Sequence, residues 1–261
     1  MKILVVNDDG IHSKGLHALA AAMHSFGEVW VVAPEKTQNA VGRAITLHKP
    51  LRLQSLKRRV FAVNGTPADC VVLALGELFK GEKPALLVSG INKGLNLGDD
   101  VSNSGTVSAA MEAMVKGIPS MAISADGGPR YPFSLAGSVA KAVAKMILDH
   151  GLPKETMVNV NVPNCRMQDV KGLMITTLCR RLYEDPISVK TDPRGEPYYW
   201  IAGKQMSMQR GKISDYEAIQ NKKISITPLR LDMTQYSAVK MLQAWERPLK
   251  RYLPKKSKSL P

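Results

Sequence analysis

A short apolar run that ends in two carboxylates is the feature that most constrains the fold of this chain. Residues 2–10 read Lys-Ile-Leu-Val-Val-Asn-Asp-Asp-Gly, so that four aliphatic side chains come just before Asp8 and Asp9. A run of this length without polar alternation is typical of a strand that is buried on both faces of a parallel sheet. Ligands of open α/β sheets bind beside the carboxyl ends of the strands. The run therefore predicts a functional site at Asp8 and Asp9.

The two adjacent carboxylates indicate a cation site. Two ionised carboxylates about 4 Å apart repel each other by roughly 4 kcal/mol at the effective dielectric of a protein surface, so a site that holds both needs a positive charge. A divalent cation would supply that charge. The alternative is a simple turn, because Asp-Gly is a strong turn signal. Both carboxylates can reach one ion only if the backbone leaves the extended form, which Gly10 permits.

The order of the later segments predicts an α/β fold. Apolar residues at helical spacing alternate with short apolar runs along the first part of the chain, and this alternation favours a doubly wound, mostly parallel sheet. The predicted strands after the first are residues 29–33, 60–63, 84–88, 118–124 and 157–162, and the predicted helices include residues 16–23, 107–115 and 135–147. The strand at 157–162 alternates valine with asparagine, which predicts one polar face.

The composition changes after about residue 180. A turn at residues 192–195 separates two strand-like pieces, and the second piece contains Tyr-Tyr-Trp-Ile at residues 198–201. This pattern predicts a protruding β-hairpin, and exposed aromatic side chains on such an arm favour a subunit contact. A final strand at residues 224–229 and a final helix at residues 237–245 are expected to follow.

Two polar loops are predicted at the same sheet edge as Asp8. The first, residues 34–43, follows the second strand and can complete a metal site. The second, residues 89–106, contains Asn92 and Asn96, whose side chains supply neutral oxygen ligands or donors. It ends at Ser104-Gly105-Thr106, where a helix begins and where free backbone N–H groups favour an anion such as phosphate. The alternative, that Ser104 or Thr106 only caps the helix, stays open. Thr66 to Asp69 is interpreted as a plain helix cap.

Charge and composition restrict the class of partner. The formal charge of +14 suits an anionic partner, whether nucleic acid, a phosphorylated metabolite or a membrane surface. Seven basic residues against one acid from Lys240 onward are interpreted as a solvated tail. The chain has neither a membrane-spanning apolar stretch nor a signal-peptide pattern, so we expect a cytoplasmic protein without a membrane partner. Three cysteines without C-x-x-C spacing predict reduced thiols.

Several longer motifs, in this order, resemble the SurE family, the stationary-phase survival proteins that act as metal-dependent 5′/3′-nucleotidases. The motifs are residues 1–10, 32–34, 64–70, 89–101, 104–112 and 159–163. The resemblance implies a Rossmann-like domain, one Mg²⁺ or Mn²⁺ per subunit, and hydrolysis of nucleoside 5′- and 3′-monophosphates, with short polyphosphate as a further substrate. It also implies a homodimer or tetramer. Residues 1–180 would then form the catalytic core and residues 181–261 the assembly region of one domain.

The resemblance also implies roles for individual residues. Asp8, Asp9 and Asn92 match the metal ligands of the family, and the phosphate-side residues match Asn96, Ser104, Gly105 and Thr106. Asp8 and Asp9 are also the candidate catalytic residues, and the identity of the general base stays open. One position departs from the family, because Asn39 stands where the fourth ligand is typically a serine. An amide oxygen is a competent ligand for Mg²⁺ or Mn²⁺, so we expect Asn39 to complete the site.

Two other classes of protein share parts of this pattern. A receiver-type signalling domain also has an acidic pair after its first strand, but it needs an acceptor aspartate after a middle strand, and residues 60–64 contain none. A basic nucleic-acid-binding protein would use the positive charge directly and would show salt-sensitive binding without phosphate release. The ordered motifs favour a phosphatase, and nucleic acid is not the expected partner.

Overall fold

The computed structural model describes residues 1–127, 133–184, 187–201, 204–209 and 213–252. The strands are β1 (Lys2–Val6), β2 (Glu28–Pro34), β3 (Leu53–Lys57), β4 (Val60–Val63), β5 (Leu86–Lys93), β6 (Ser120–Ala125), β7 (Met157–Val162), β8 (Leu173–Ile175), β9 (Arg180–Glu184), β10 (Ile187–Thr191), β11 (Pro197–Ile201), β12 (Lys204–Gln209) and β13 (Ile224–Leu229). The helices are α1 (Lys14–Met23), α2 (Pro67–Leu73), α3 (Gly105–Val115), α4 (Phe133–His150), α5 (Asp215–Gln220), α6 (Tyr236–Gln243) and α7 (Glu246–Leu249).

Nine of the described strands form one mixed sheet in the order β3-β4-β2-β1-β5-β6-β7-β13-β8. The pairs β1–β2, β2–β4, β1–β5, β5–β6, β6–β7 and β13–β8 are parallel. The pairs β3–β4 and β7–β13 are antiparallel. The chain leaves β1 towards β2 on one side and later returns to place β5 on the other side. The predicted doubly wound, mostly parallel sheet is thus confirmed, and its topological switch point lies at the carboxyl end of β1.

Helices cover both faces of this sheet. Helices α1 and α4 pack together on one face, and α2 and α3 pack together on the other. The apolar positions of α1 recur at helical spacing, so Leu16, Leu19 and Met23 share one side and are fully buried. Burial of each such side chain contributes about 1.5–3 kcal/mol to folding. The core therefore holds β1 and β5 rigidly, and it leaves the loops at their carboxyl ends to form a site.

Two central strands differ from the expectation. Strand β5 continues to Lys93, whereas the apolar run predicted an end at residue 88. Apart from Ile91 the extra residues are polar or glycine, but their backbone still pairs with β6, because ladder hydrogen bonds do not depend on side-chain polarity. The polar face predicted for β7 is present but buried, since Asn159 and Asn161 are fully inaccessible to solvent. That face contacts a loop of the candidate site, as described below.

The described chain divides into two units, Met1–Arg230 and the residues from Leu231 onward. In the first unit β10 and β11 form the predicted hairpin, and Tyr199, Trp200 and Ile201 are exposed. In the second unit α6 confirms the predicted C-terminal helix and has no buried residue. The end of the basic tail, residues 253–261, lies outside the described residues. None of the described helices is long and apolar enough to cross a membrane.

Candidate active site

The two carboxylates lie where the sequence predicts them, just after β1 at the switch point of the sheet. Asp8 is 4% exposed, and Gly10 leaves the extended form with a φ of +96°. The side chain of Asn7 donates to the carbonyl oxygen of Gly10 at 3.1 Å, which closes the turn. The turn and the carboxylate pair are therefore features of one segment and not competing interpretations.

Asp8 is held by the beginning of α3. The Thr106 hydroxyl donates to Asp8 Oδ1 at 2.5 Å, and the Thr106 backbone N–H donates to Asp8 Oδ2 at 3.1 Å. Gly105 allows this approach, because a Cβ at that position would lie 2.8 Å from the Cβ of Asp8. The Ser104 side chain caps the same helix by accepting from the N–H of Val107. Two of the first N–H groups of α3 are thus already bonded within the protein.

The electrostatics of the pair point to a missing positive charge. Burial raises the pKa of Asp8 to about 6; the hydrogen bond from Thr106 acts in the opposite direction, and the charge of Asp9 adds to the rise. Burial also raises the pKa of Asp9, against the lowering effect of Lys93. Neither carboxylate forms an ion pair with a lysine or arginine of the described residues. A cation between the two carboxylates would supply the charge that they lack.

The first polar loop is fixed beside Asp8 and Asp9 by hydrogen bonds. The N–H of Gln38 donates to the carbonyl oxygen of Asp8 at 2.8 Å, and the Thr37 hydroxyl donates to that of Asp9 at 3.1 Å. The next residue, Asn39, is exposed and lines the same cavity as the carboxylates. The loop after β2 therefore brings Asn39 to the predicted place.

Further along, the same segment is anchored by two acids of the α2–α3 layer. Asp69 accepts from the backbone N–H and the hydroxyl of Thr46, at 2.9 and 2.6 Å. Glu112, which is 4% exposed, pairs with Arg43 at 3.2 Å. The interpretation of Asp69 as a plain helix cap is incomplete, because it forms the capping box with Thr66 and also holds residues of the loop. Local capping chemistry could not reveal a partner 23 positions away.

The second polar loop contributes Asn92 and Asn96. The amide nitrogen of Asn92 donates to the carbonyl oxygen of Gly94 at 2.9 Å, so its side-chain oxygen is the atom that it can offer a cation. The amide nitrogen of Asn96 donates to Ser124 Oγ at 2.7 Å. The side-chain oxygen of Asn96 is therefore the atom that can accept a hydrogen bond from a ligand.

The polar face of β7 holds the backbone of this loop. The backbone N–H of Asn96 donates to Asn161 Oδ1 at 2.9 Å. The backbone carbonyl oxygen of Asn96 accepts from the side-chain amides of Asn159 and Asn161, at 2.8 and 3.0 Å. The asparagines that alternate along β7 thus position Asn96. Their alternation in the sequence was a signal for this role, but it did not identify the partner.

One cavity of about 620 Å³ collects these groups, and its size falls in the usual range for small-molecule sites. Six of the eight predicted site residues line it, namely Asp8, Asp9, Asn39, Asn92, Asn96 and Ser104. Gly105 and Thr106 do not line the cavity and instead support Asp8 from behind. The structure thus brings the predicted ligands together and gives Thr106 a partner in the site itself.

Lys93 is the charged side chain of basic type among the residues of the cavity wall that the sequence did not predict, which also include Thr37, Ala40, Leu95, Asp100 and Asn103. The sequence pattern places Lys93 in the second polar loop, where no strand periodicity fixes the direction of its side chain. A register shift between Gly90 and Asn92 interrupts the regular pairing of β5, and both Asn92 and Lys93 line the cavity. No pattern in the side chains signals that shift.

The candidate ligands for a cation in this cavity are carboxylate and amide oxygens. Within the described ranges no three His, Cys, Asp or Glu side chains are grouped so as to hold a metal ion. A cation here would be bound by two carboxylates together with the side-chain oxygens of Asn39 and Asn92. Such an all-oxygen set suits Mg²⁺ or Mn²⁺ and does not suit Cu⁺, and it lacks the nitrogen and sulfur ligands typical of structural Zn²⁺.

Comparisons with known proteins agree with this arrangement. The family model described as "Survival protein SurE" matches residues 3–185. The chain is 46% identical over 247 residues to a protein of Geobacter sulfurreducens named 5′-nucleotidase SurE, with 94% of each chain covered. It is 48% identical over 250 residues to a protein of the same name from Geotalea uraniireducens, with 94% of this chain and 99% of the relative covered.

A solved structure shows the same fold at the level of the whole chain. The crystal structure of the SurE protein from Aquifex aeolicus matches with a TM-score of 0.86 and 40% sequence identity. The match covers 94% of this chain and 100% of the crystallised one. The chain described here belongs to the SurE family.

Proposed function

We propose that this protein is a 5′-nucleotidase that hydrolyses nucleoside 5′- and 3′-monophosphates to nucleoside and phosphate, and that also accepts short polyphosphate. The observation that carries the proposal is the pair Asp8 and Asp9, which lies at the switch point of the sheet beside a cavity of about 620 Å³. The relatives named 5′-nucleotidase are similar over 94% of this chain, so the support extends through the whole site.

One divalent cation per subunit, Mg²⁺ or Mn²⁺, is part of this proposal. Asp8, Asp9, Asn92 and Asn39 would hold it. When bound, such a cation neutralises charge on the phosphoryl oxygens and makes a water more acidic. The support is that burial raises the pKa of both carboxylates although Lys93 lowers that of Asp9, together with a donor set made of oxygens.

Residues of the chain itself would orient the substrate. The Ser104 oxygen already accepts from Val107, so its hydroxyl hydrogen can be donated to a phosphoryl oxygen. Lys93 lines the same cavity, and its positive charge would attract a phosphate dianion. The side-chain oxygen of Asn96 suits a hydroxyl of the sugar, because its nitrogen is bonded to Ser124. Positioning and charge neutralisation of this kind supply most of the catalysis in phosphoryl transfer.

We also propose that the protein is a cytoplasmic homodimer or tetramer, in which residues 1–180 form the catalytic core and residues 181–261 mediate assembly. The support is exposed apolar surface on the hairpin, where Trp200 is 58% and Ile201 90% exposed. Trp245, in the C-terminal unit, is 57% exposed. Large apolar side chains grouped on a surface typically mark an interface. Membranes and nucleic acid are not part of the proposal.

Phosphate release from nucleoside monophosphates tests the proposal. Metal-stripped protein should release phosphate only after Mg²⁺ or Mn²⁺ is added, and Asp8→Asn should abolish the release. Glu35→Gln is the matched control, because Glu35 is an exposed acid near the same loop that does not line the cavity. Salt-sensitive binding of DNA, with no phosphate release under either cation, would favour the nucleic-acid-binding class instead.

A further inference from the structure

Asp215 is a fully buried acid outside the set of residues that the proposed chemistry uses. Its carboxylate accepts from three backbone N–H groups, those of Gly98 at 2.8 Å, Cys179 at 2.9 Å and Tyr216 at 2.8 Å. An ionised carboxylate is costly to bury unless hydrogen bonds compensate it. The cap of α5 does not require this carboxylate, because the Ser214 side chain caps the helix by accepting from Glu217. Two of the three bonds of Asp215, those from Gly98 and Cys179, therefore serve other segments.

The first of these segments is the loop that carries Asn96. Gly98 lies so close to Cys179 that a Cβ on the glycine would be 2.4 Å from the Cys179 carbonyl oxygen. Leu97 is 2% exposed and packs with Cys179 and Ile219 in a small apolar cluster. Asn96 itself is fixed from the opposite side by the central strands. Residues 96–98 are thus held between the sheet and the segment of Asp215.

The second segment is the base of the arm that contains β9–β12. Cys179 immediately precedes β9, and Asp215 follows β12 after a few residues. The two ends meet at a bridge, where Thr177 and Ser214 pair and the Asp215 N–H donates to the Thr177 carbonyl oxygen at 2.9 Å. Burial raises the pKa of the Cys179 thiol to about 12, and its hydrogen bond to Asp215 contributes. The thiol thus remains protonated and can donate to the same carboxylate.

We propose that Asp215 is a positioning residue of the active site. Its hydrogen bonds connect Gly98 to the base of the arm and so fix the second polar loop. The cavity residue Asn96 is two positions from Gly98, so release of Gly98 frees the side of the loop that faces the substrate. The metal-binding carboxylates have other supports and are expected to stay in place. The inference rests on the proposed function in one respect, since it assigns Asn96 to substrate binding.

Asp215→Asn is the variant that tests this role, because an amide cannot accept from all three N–H groups. We expect amide hydrogen exchange at Gly98, measured by mass spectrometry or NMR on the full chain, to become faster by about tenfold or more, as for loss of a bond to a charged group. With a nucleoside monophosphate the KM should rise by about tenfold and kcat should change less, since the loop positions substrate. Ser214→Ala is the matched control: it removes the helix cap and should leave both readings at their parental values.

The outcomes separate the two proposals. Unchanged exchange at Gly98 in Asp215→Asn would overturn the inference, and so would faster exchange with an unchanged KM. If the parent protein releases no phosphate, the proposed function fails, whereas the exchange measurement still decides whether Asp215 fixes the loop. Gly98→Ala is a second variant in case Asp215→Asn does not fold. Its methyl group must displace the loop from Cys179, so the same rise in KM is expected and a parental KM would count against the role.

Discussion

Gly105→Ala should impair both folding and catalysis, although Gly105 does not line the cavity. The added Cβ would lie 2.8 Å from the Asp8 Cβ and 3.1 Å from Pro67 Cγ, whereas ordinary contacts begin at 3.4 Å. Asp8 and the start of α3 must therefore separate by about 0.6 Å. Overpacking of this kind typically costs about 1–3 kcal/mol in the free energy of unfolding. A displacement approaching 1 Å at a reacting group can lower activity by about a hundredfold.

Two measurements check this prediction. Urea unfolding gives the loss of stability, and phosphate release at saturating Mn²⁺ gives the loss of activity. Gly76→Ala is the control, because a Cβ at Gly76 would meet nothing within 4 Å and the residue lies in a helical turn. We expect it to change stability by less than about 1 kcal/mol and to leave activity intact. If Gly105→Ala matched the parent in both assays, the close support of Asp8 by α3 would be refuted.

Variants at four other positions test separate parts of the site and the assembly. Thr106→Val removes the hydroxyl bond to Asp8, so the Kd for Mn²⁺, measured by calorimetry, should rise by about tenfold, whereas an unchanged Kd would mean that the hydroxyl does not orient the ligand. Asp9→Asn should lower phosphate release by more than about a hundredfold, and parental activity in excess chelator would exclude the metal site. Asn39→Ser should stay within about tenfold of the parent and Asn39→Leu should lose more; equal rates for Asn39→Leu and the parent at limiting metal would show that residue 39 is not a ligand. Trp200→Glu should lower the sedimenting mass at micromolar concentration, and an unchanged mass would place the interface elsewhere.

The parts of the fold that the sequence predicts are those with local causes. The buried strand β1, the position of Asp8 and Asp9 at its end and the hairpin at β10–β11 follow from patterns within a few residues. Polar loops at neighbouring strand ends must meet at one edge of a parallel sheet, so the loops that contain Asn39 and Asn92 could also be placed in advance, whereas the choice of Asn39 within its loop came from the resemblance. The cavity confirms that placement, whereas their roles as ligands remain a prediction.

The parts that the sequence does not predict depend on long-range partners or on small register changes. Asp215 follows Ser214 and looks like an ordinary residue of a first helical turn, yet its bond to Gly98 joins positions 117 apart. Lys93 reaches the cavity because of the register shift in β5. Asn159 lies in β7, whose valines pack in the core. Its side-chain amide donates to the backbone carbonyl oxygen of Asn96, which is 63 positions away. Hydrophobic periodicity contains no information about such pairings.

The buried acids of the described chain can be compared by how each negative charge is compensated. Asp69 accepts from Thr46 twice and from the Thr66 backbone, Asp215 accepts from three N–H groups, and Glu112 pairs with Arg43 and Lys116. Each of these acids joins segments that are distant in the sequence, and each has its partners within the protein. Asp8 has the two bonds from Thr106, a second carboxylate beside it and a cavity in front of it. A buried carboxylate that its own protein compensates only in part gains the rest from a ligand, which is why Asp8, rather than the better-satisfied acids, marks the candidate active site.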